Sequence, residues 1–260
     1  MLFANLAPAF DAFLEATTAA QKWRIVRPLE AKLQKAMRKA FTAQGNAFLD
    51  GLAARRGEFS EALTQADWLQ IFDQAAALTY NLFLDPLEAT AIAGLTAGAT
   101  AVIADLEIAT TFDLANPRAV QYINAHGAET VTGLEDVSRD RLRTLLAEGL
   151  DEGWSYNKTA REIRALFTDM SRTRSTVIAT YESGMAYESG SFMVAQDLSN
   201  GGLVIQKQWL SVNDAKVEQH CLDNQAQGWI PFDEPYSDGS MHPLSHPNCR
   251  CTNLLRRAPS

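Results

Sequence analysis

Residues 242–251, His-Pro-Leu-Ser-His-Pro-Asn-Cys-Arg-Cys, hold two of the four histidines and two of the three cysteines in a chain of 260 residues. Cys221, His246, Cys249 and Cys251, with His220 and His242 nearby, could supply four ligands to zinc, which takes thiolate sulfur and imidazole nitrogen in tetrahedral sets. His246 and Cys249 form an H-x-x-C half-site, because a short turn sets two such side chains at tetrahedral spacing. The other half is broken. Three residues after Cys221 stands Asn224, a poor zinc ligand, where a second cysteine would complete a C-x-x-C pair.

Two other chemistries compete for the same residues. A Cys221–Cys249 disulfide would staple the segment, although three cysteines behind an N-terminus without a basic leader suit a reducing compartment. His242 or His246 with Asp238, Glu218 or Asp214 could act as acid and base in a metal-dependent, nuclease-like hydrolase. The chain has no H-E-x-x-H, no G-x-S-x-G, no phosphate-binding loop and no dinucleotide fingerprint. No catalytic residue is assigned, and the expectation is a protein that is not an enzyme.

The elements that must position these residues change character along the chain. Up to about residue 200 the sequence is helical in period, with Leu29, Leu33, Met37, Ala40 and Phe41 on one stripe. The basic residues from Lys22 to Lys39 are expected to form a solvated helix face. Pro86 marks a break or a first turn. Asn116 caps a short helix started by Pro117 and ended by Gly127. Leu142, Leu145, Leu146 and Leu150 line the next helix. After Gly153, Ser155 caps another, bearing Ile163, Leu166 and Phe167, and a further helix starts near Ser171 and stops at Asn200-Gly201-Gly202. Then the period becomes that of strands in LVIQKQWLSV, GWIPF and CRCTNLLRR, with the turn-rich DNQAQG between the first two. Cys249 and Cys251 would share one strand face. The expected fold class is α+β: a mostly helical N-terminal body followed by a small antiparallel β-rich knuckle. The division is a helical region over 1–105, a second helical part over 106–200, and the Cys/His knuckle over 201–260.

The net charge of −8 argues against tight binding to phosphates. The least polar run, residues 89–104, is shorter than the roughly 20 residues that span a bilayer. Its Gly94 and Gly98 point to close packing between helices, and no membrane partner is expected.

The segments GLDEGWSYNKTAREIRALF, RSTVIATYESGMAYESG, QWLSVNDAKVEQHCLDNQAQGWIPFDEPYSDG and HPNCRC, in this order, resemble the phage Mu F-like head morphogenesis proteins, minor capsid components of tailed phages. The resemblance covers roughly residues 110–255 and leaves residues 1–105 without a counterpart. Its motif positions fall on Glu182, Trp209, Asp214, Cys221, His246, Cys249, Arg250 and Cys251. It departs at Asn224, which leaves either a three-cysteine, one-histidine zinc set or a clasp held by packing. Arg250 would face away from the two thiols, toward Asp214 or Glu182. The resemblance implies a virion structural protein, joined to the portal and to major capsid or scaffold proteins near packaged DNA. It would be made in the host cytoplasm, and some relatives are thought to leave with the DNA.

Overall fold

The computed structural model describes residues 7–57, 64–212 and 214–259. The elements run α1 (Ala7–Ala54), α2 (Gln65–Asp105), α3 (Pro117–Gln121), a π-helical turn (Tyr122–His126), α4 (Gly127–Asp151), α5 (Tyr156–Asn200), β1 (Ile205–Leu210), α6 (Gln219–Ala226), β2 (Ile230–Pro231) and β3 (Thr252–Arg257). This is the expected α+β class, a helical body followed by a small antiparallel sheet.

Several helix ends fall where the sequence puts them. The Asn116 side chain accepts the Arg118 N–H at 3.0 Å, a cap on α3. Gly153 has φ +65° at the close of α4, and the Ser155 hydroxyl accepts the Lys158 N–H at 3.4 Å. α5 ends in backbone bonds from Gly201 to Asp197 and from Leu203 to Leu198, with Gly202 at φ +95°.

Others differ for identifiable reasons. α2 runs through Pro86, and Pro28 sits inside α1, so neither proline breaks its helix. Gly127 starts α4 instead of ending a helix, because the π-helical turn carries the chain straight on. One helix, α5, replaces the two expected between Tyr156 and Asn200. No Gly or Pro interrupts it near Ser171, and Ser175 returns its hydroxyl to the Ser171 carbonyl at 2.5 Å. Leu150 is exposed, although it lies in the expected apolar stripe of α4.

The chain forms two compact units, each taking part of α1, α2 and α5. One comprises Lys32–Ala89 and Tyr122–Ile178, and among its described residues every regular element is a helix. Leu33, Met37, Phe41, Leu142, Ile163 and Phe167 are buried there, on the stripes the sequence marks out, and Phe48 joins them. Phe41 meets Phe83 edge-on at 5.0 Å, and Gly45 lets Phe167 come so close that a methyl would lie 2.7 Å from its ring.

The other unit comprises Met1–Ala31, Thr90–Gln121 and Ala179–Ser260 and carries the sheet. The sheet order is β2-β1-β3, all antiparallel, with Lys207 opposite both Ile230 and Leu255 and Trp209 opposite Asn253. Ile205, Lys207 and Trp209 point inward from β1, the period-2 alternation of a strand with one covered face. Ala99, Val102 and Leu106 of α2 and Val194 and Ala195 of α5 pack under Ile205 and Phe232. By length and composition α2 is long and apolar enough to cross a membrane, which the 16-residue run considered alone is not. Within this unit its glycines make backbone contact with α5. A methyl on Gly98 would lie 1.9 Å from the Tyr187 carbonyl oxygen, and one on Gly190 would lie 2.1 Å from that of Leu95. Ser191 donates its hydroxyl to the Gly98 carbonyl at 3.1 Å.

The contact gives a paired test. Gly98→Ala is expected to destabilise the protein by about 3 kcal/mol, the upper end for overpacking. Gly133→Ala in α4, whose methyl meets nothing within 4 Å, is expected to stabilise by about 0.5–1 kcal/mol. Urea unfolding of both variants reads the difference.

Candidate functional site

The knuckle brings the three cysteines together. DNQAQG, expected as a turn, belongs largely to α6, and Cys221 is buried in its first turn. Cys249 and Cys251 lie just before β3, on irregular backbone instead of a strand face. Ladder pairing begins only at Thr252, because the chain is still turning. Leu244 and Asn248 hold φ values of +72° and +66°, and the Cys249 N–H closes a turn onto the His246 carbonyl at 3.2 Å. The sulfurs of Cys221 and Cys249 are 4.0 Å apart, and all three sulfurs lie within 4.8 Å of one another. His246 Nε2 stands 3.3 Å from the Cys221 sulfur. Its Nδ1 lies 2.9 Å from the Pro247 carbonyl oxygen and 3.3 Å from a Glu218 carboxylate oxygen. His220 meets His246 edge-on at 4.7 Å, and its Nδ1 is 3.6 Å from Glu218. His242 packs against Phe192 at 5.3 Å, outside this group.

The three thiols are unequal. Hydrogen bonds, first from the Cys251 thiol and then from the Cys251 and Leu244 backbones, hold Cys249 down to about 5 against its desolvation. Burial and then the Cys249 charge push Cys221 up to about 12. Cys251 is raised too, first by its hydrogen bond to Cys249.

The remaining motif positions frame the cluster. Trp209 is wholly buried, edge-on to Tyr236 at 5.0 Å, and packs with Cys221, Leu244, Cys249 and Cys251. Arg250 donates to both oxygens of Asp214, at 2.8 and 2.6 Å, and this bond holds the Asp214 carboxyl below its ordinary range. Glu182 is buried on α5, and Arg250 takes Asp214 in preference to it. Asn224 accepts hydrogen bonds from the Ser237 hydroxyl at 2.6 Å and the Asp238 N–H at 3.3 Å. The residue standing in for a second cysteine fixes the next turn.

Beneath the cluster lies an ion pair that the sequence reading missed. Lys22 and Glu188 are 0% and 1% exposed, with Nζ to Oε1 at 2.7 Å. Lys22 also donates to the Cys251 carbonyl at 2.6 Å. Glu188 accepts from the Thr252 hydroxyl at 2.7 Å and the Asn253 N–H at 3.1 Å, and Tyr236 donates its hydroxyl to the Asn253 side-chain oxygen at 2.7 Å. Arg24, Arg27, Lys32, Lys35, Arg38 and Lys39 are exposed as expected, and Lys22 is the exception. The signal was present: Lys22 and Val26 are four apart, as are Leu33 and Met37, and Val26 and Leu33 are seven apart. A lysine therefore sits in the buried stripe of α1.

A second buried lysine, Lys207 of β1, donates to the Met241 carbonyl at 2.9 Å and lies over the rings of Tyr236 and Phe232 at 4.9 and 5.7 Å. It has no ion-pair partner among the described residues. Burial depresses its ammonium to about 8, while Asp233 and Glu234 pull the other way.

Within the sheet-bearing unit, a Cys/His cluster precedes the last strand and a buried ion pair is bonded to the start of that strand. Residues 140–254, from within α4 through α5 and the sheet to β3, match the family described as phage Mu protein F like protein. No curated protein and no solved structure matches the chain.

Two stability tests follow. Lys22→Met strands the Glu188 charge, and a loss of about 3–5 kcal/mol is expected in urea unfolding. Unfolding at the wild-type midpoint would remove the ion pair from the account. For Lys207, the folded value lies below the ordinary lysine value. The unfolded chain therefore binds more protons between about pH 8 and pH 10.5, and this group's contribution to stability rises with pH across that window. The stability of wild type relative to Lys207→Met is expected to improve from pH 8 to 10.5. A difference that stays flat with pH contradicts the assignment.

Proposed function

We propose that the protein is a minor capsid component of a tailed phage head. It joins the portal and the major capsid or scaffold proteins during assembly in the host cytoplasm, and it remains in the virion near packaged DNA, from which it is ejected with the genome. The observation that carries this reading is the match of residues 140–254 to a phage head family. The surface agrees with an assembly role. Leu78 and Leu82, 78% and 49% exposed, lie one turn apart on α2 and give an apolar contact for a partner helix or sheet. The net charge of −8 keeps such a protein from being trapped on the phosphates of a filled head. It acts as a structural part of the particle and not as an enzyme, and it acts without a membrane.

The hydrolase alternative has less in its favour. A catalytic zinc keeps an open position facing water and substrate. Here three buried cysteines surround a pocket of about 10 Å³ that also reaches His246. That is barely room for one water molecule.

Co-expression with the portal and shell proteins of its own gene neighbourhood, followed by mass spectrometry of purified heads, tests the role. A few copies per head are expected. Recovery only in the soluble fraction, with heads that lack it, would end the capsid reading.

A further inference from the structure

We infer that Cys221, His246, Cys249 and Cys251 together hold one structural zinc ion, independently of the part the protein plays in the head. Zinc bonds of about 2.3 Å to sulfur and about 2.0–2.1 Å to nitrogen set tetrahedral sulfur–sulfur edges at about 3.8 Å and sulfur–nitrogen edges at about 3.5 Å. The Cys221–Cys249 edge is 4.0 Å and the Cys221–His246 edge 3.3 Å, so two edges of the tetrahedron stand within a few tenths of an ångström of a bound geometry. Cys251 completes a sulfur triangle within 4.8 Å. His246 falls within that distance of Cys221 but outside the sulfur triangle's group, and it would swing inward as the ion binds. All four line one pocket of about 10 Å³, which suits an atom-sized guest.

His246 is oriented as a ligand. A metal-bound histidine gives its second ring N–H to a carbonyl or carboxylate, which fixes the tautomer and aims the free lone pair. Nδ1 of His246 has both acceptors in reach, Pro247 at 2.9 Å and Glu218 at 3.3 Å, so Nε2 is the nitrogen turned to the sulfurs. His220 also approaches Cys221, but only His246 lines the pocket together with the three cysteines, and His246 is assigned. Trp209 contributes from the second layer. Its buried indole N–H faces the Cys251 sulfur and has no other acceptor among the described residues, so it is placed to donate to a metal-bound thiolate.

Three thiolates and an imidazole leave no open position, so the ion is structural, and the protons of the bound thiols go to solvent as it binds. The softness of the set selects zinc over magnesium or calcium, which take oxygen ligands. The knuckle has reason to need the ion. Its core holds Trp209, Tyr236, Leu244 and the cysteines themselves, and the loop it must hold contains two non-glycine residues at positive φ.

The test uses the full chain, expressed in zinc-supplemented medium and purified under reducing conditions. Elemental analysis is expected to give one zinc per chain. Replacement with Co(II) is expected to give the intense visible bands of a tetrahedral site with sulfur-to-cobalt charge transfer. Competition with a chromophoric chelator is expected to find His246→Ala weakened by about a hundred-fold or more, beyond the 10–100-fold that loss of an outer-layer partner costs. His220→Ala and Arg250→Ala should bind as wild type does. Cys249→Ser should lose the metal, and the Co(II) spectrum of the wild type carries the test if that variant does not fold. Folded, reduced wild type that holds no zinc and gives no tetrahedral Co(II) spectrum overturns the proposal. So does a native Cys221–Cys249 disulfide found by mass spectrometry. Loss of zinc in His220→Ala in place of His246→Ala overturns the ligand assignment. None of these results bears on whether the protein is found in heads.

Discussion

The sheet-bearing unit depends on one ion pair. Taking an ammonium and a carboxylate out of water costs several kcal/mol for each ion even after relaxation, and Lys22 and Glu188 are both out of water. What offsets the cost is the number of further bonds each ion makes. Lys22 reaches the Cys251 carbonyl, and Glu188 holds the Thr252 hydroxyl and the Asn253 N–H. Those three partners are consecutive residues where the clasp ends and β3 begins. The pair is therefore bonded to the chain where the last strand enters the sheet. Register matters here because a one-residue slip would turn every β3 side chain to the wrong face.

The cluster and the ion pair are two ends of one support. Cys251 contributes its sulfur to the clasp above and its carbonyl to Lys22 below. Tyr236 packs edge-on to Trp209 in the clasp core and donates its hydroxyl to Asn253, whose N–H Glu188 holds. Charges placed this way need a rigid frame, and the close contact of α2 with α5 supplies it. With glycine at 98 and 190 the two backbones touch, so Tyr187 and its neighbour Glu188 sit on a helix that cannot shift outward without opening that contact.

How much of this was legible in the sequence depends on whether the signal was local. The α5 stop at Asn200, the Asn116 and Ser155 caps and the three strands each follow from residues within a few positions, and each can be read directly. The glycines of α2 announced close packing, though not which helix they would meet. Arg250 and Asp214 are 36 residues apart; their motif positions offered Asp214 and Glu182 as partners, and the pair with Asp214 forms. The continuous α5 was missed because serines and threonines near residue 171 suggest an end, while within a helix their hydroxyls can return to the preceding turn. The helix around Cys221 was missed because Asp, Asn, Gln and Gly at its close carry strong turn preferences. Lys22 shows the limit of periodicity: the stripe marks the position as buried, but nothing local names a carboxylate 166 residues away.

That separation bears on what the family match means. The matched span, 140–254, contains Glu188, Thr252, Asn253 and every member of the clasp, but the cation that neutralises Glu188 comes from α1, outside it. The glycines that seat α5 come from α2, also outside it. The sheet-bearing unit accordingly takes in Met1–Ala31 and Thr90–Gln121 beside the C-terminal segment. A segment recognisable by its own motifs thus has its central charge compensated, and its main helix seated, by helices that carry no recognisable motif.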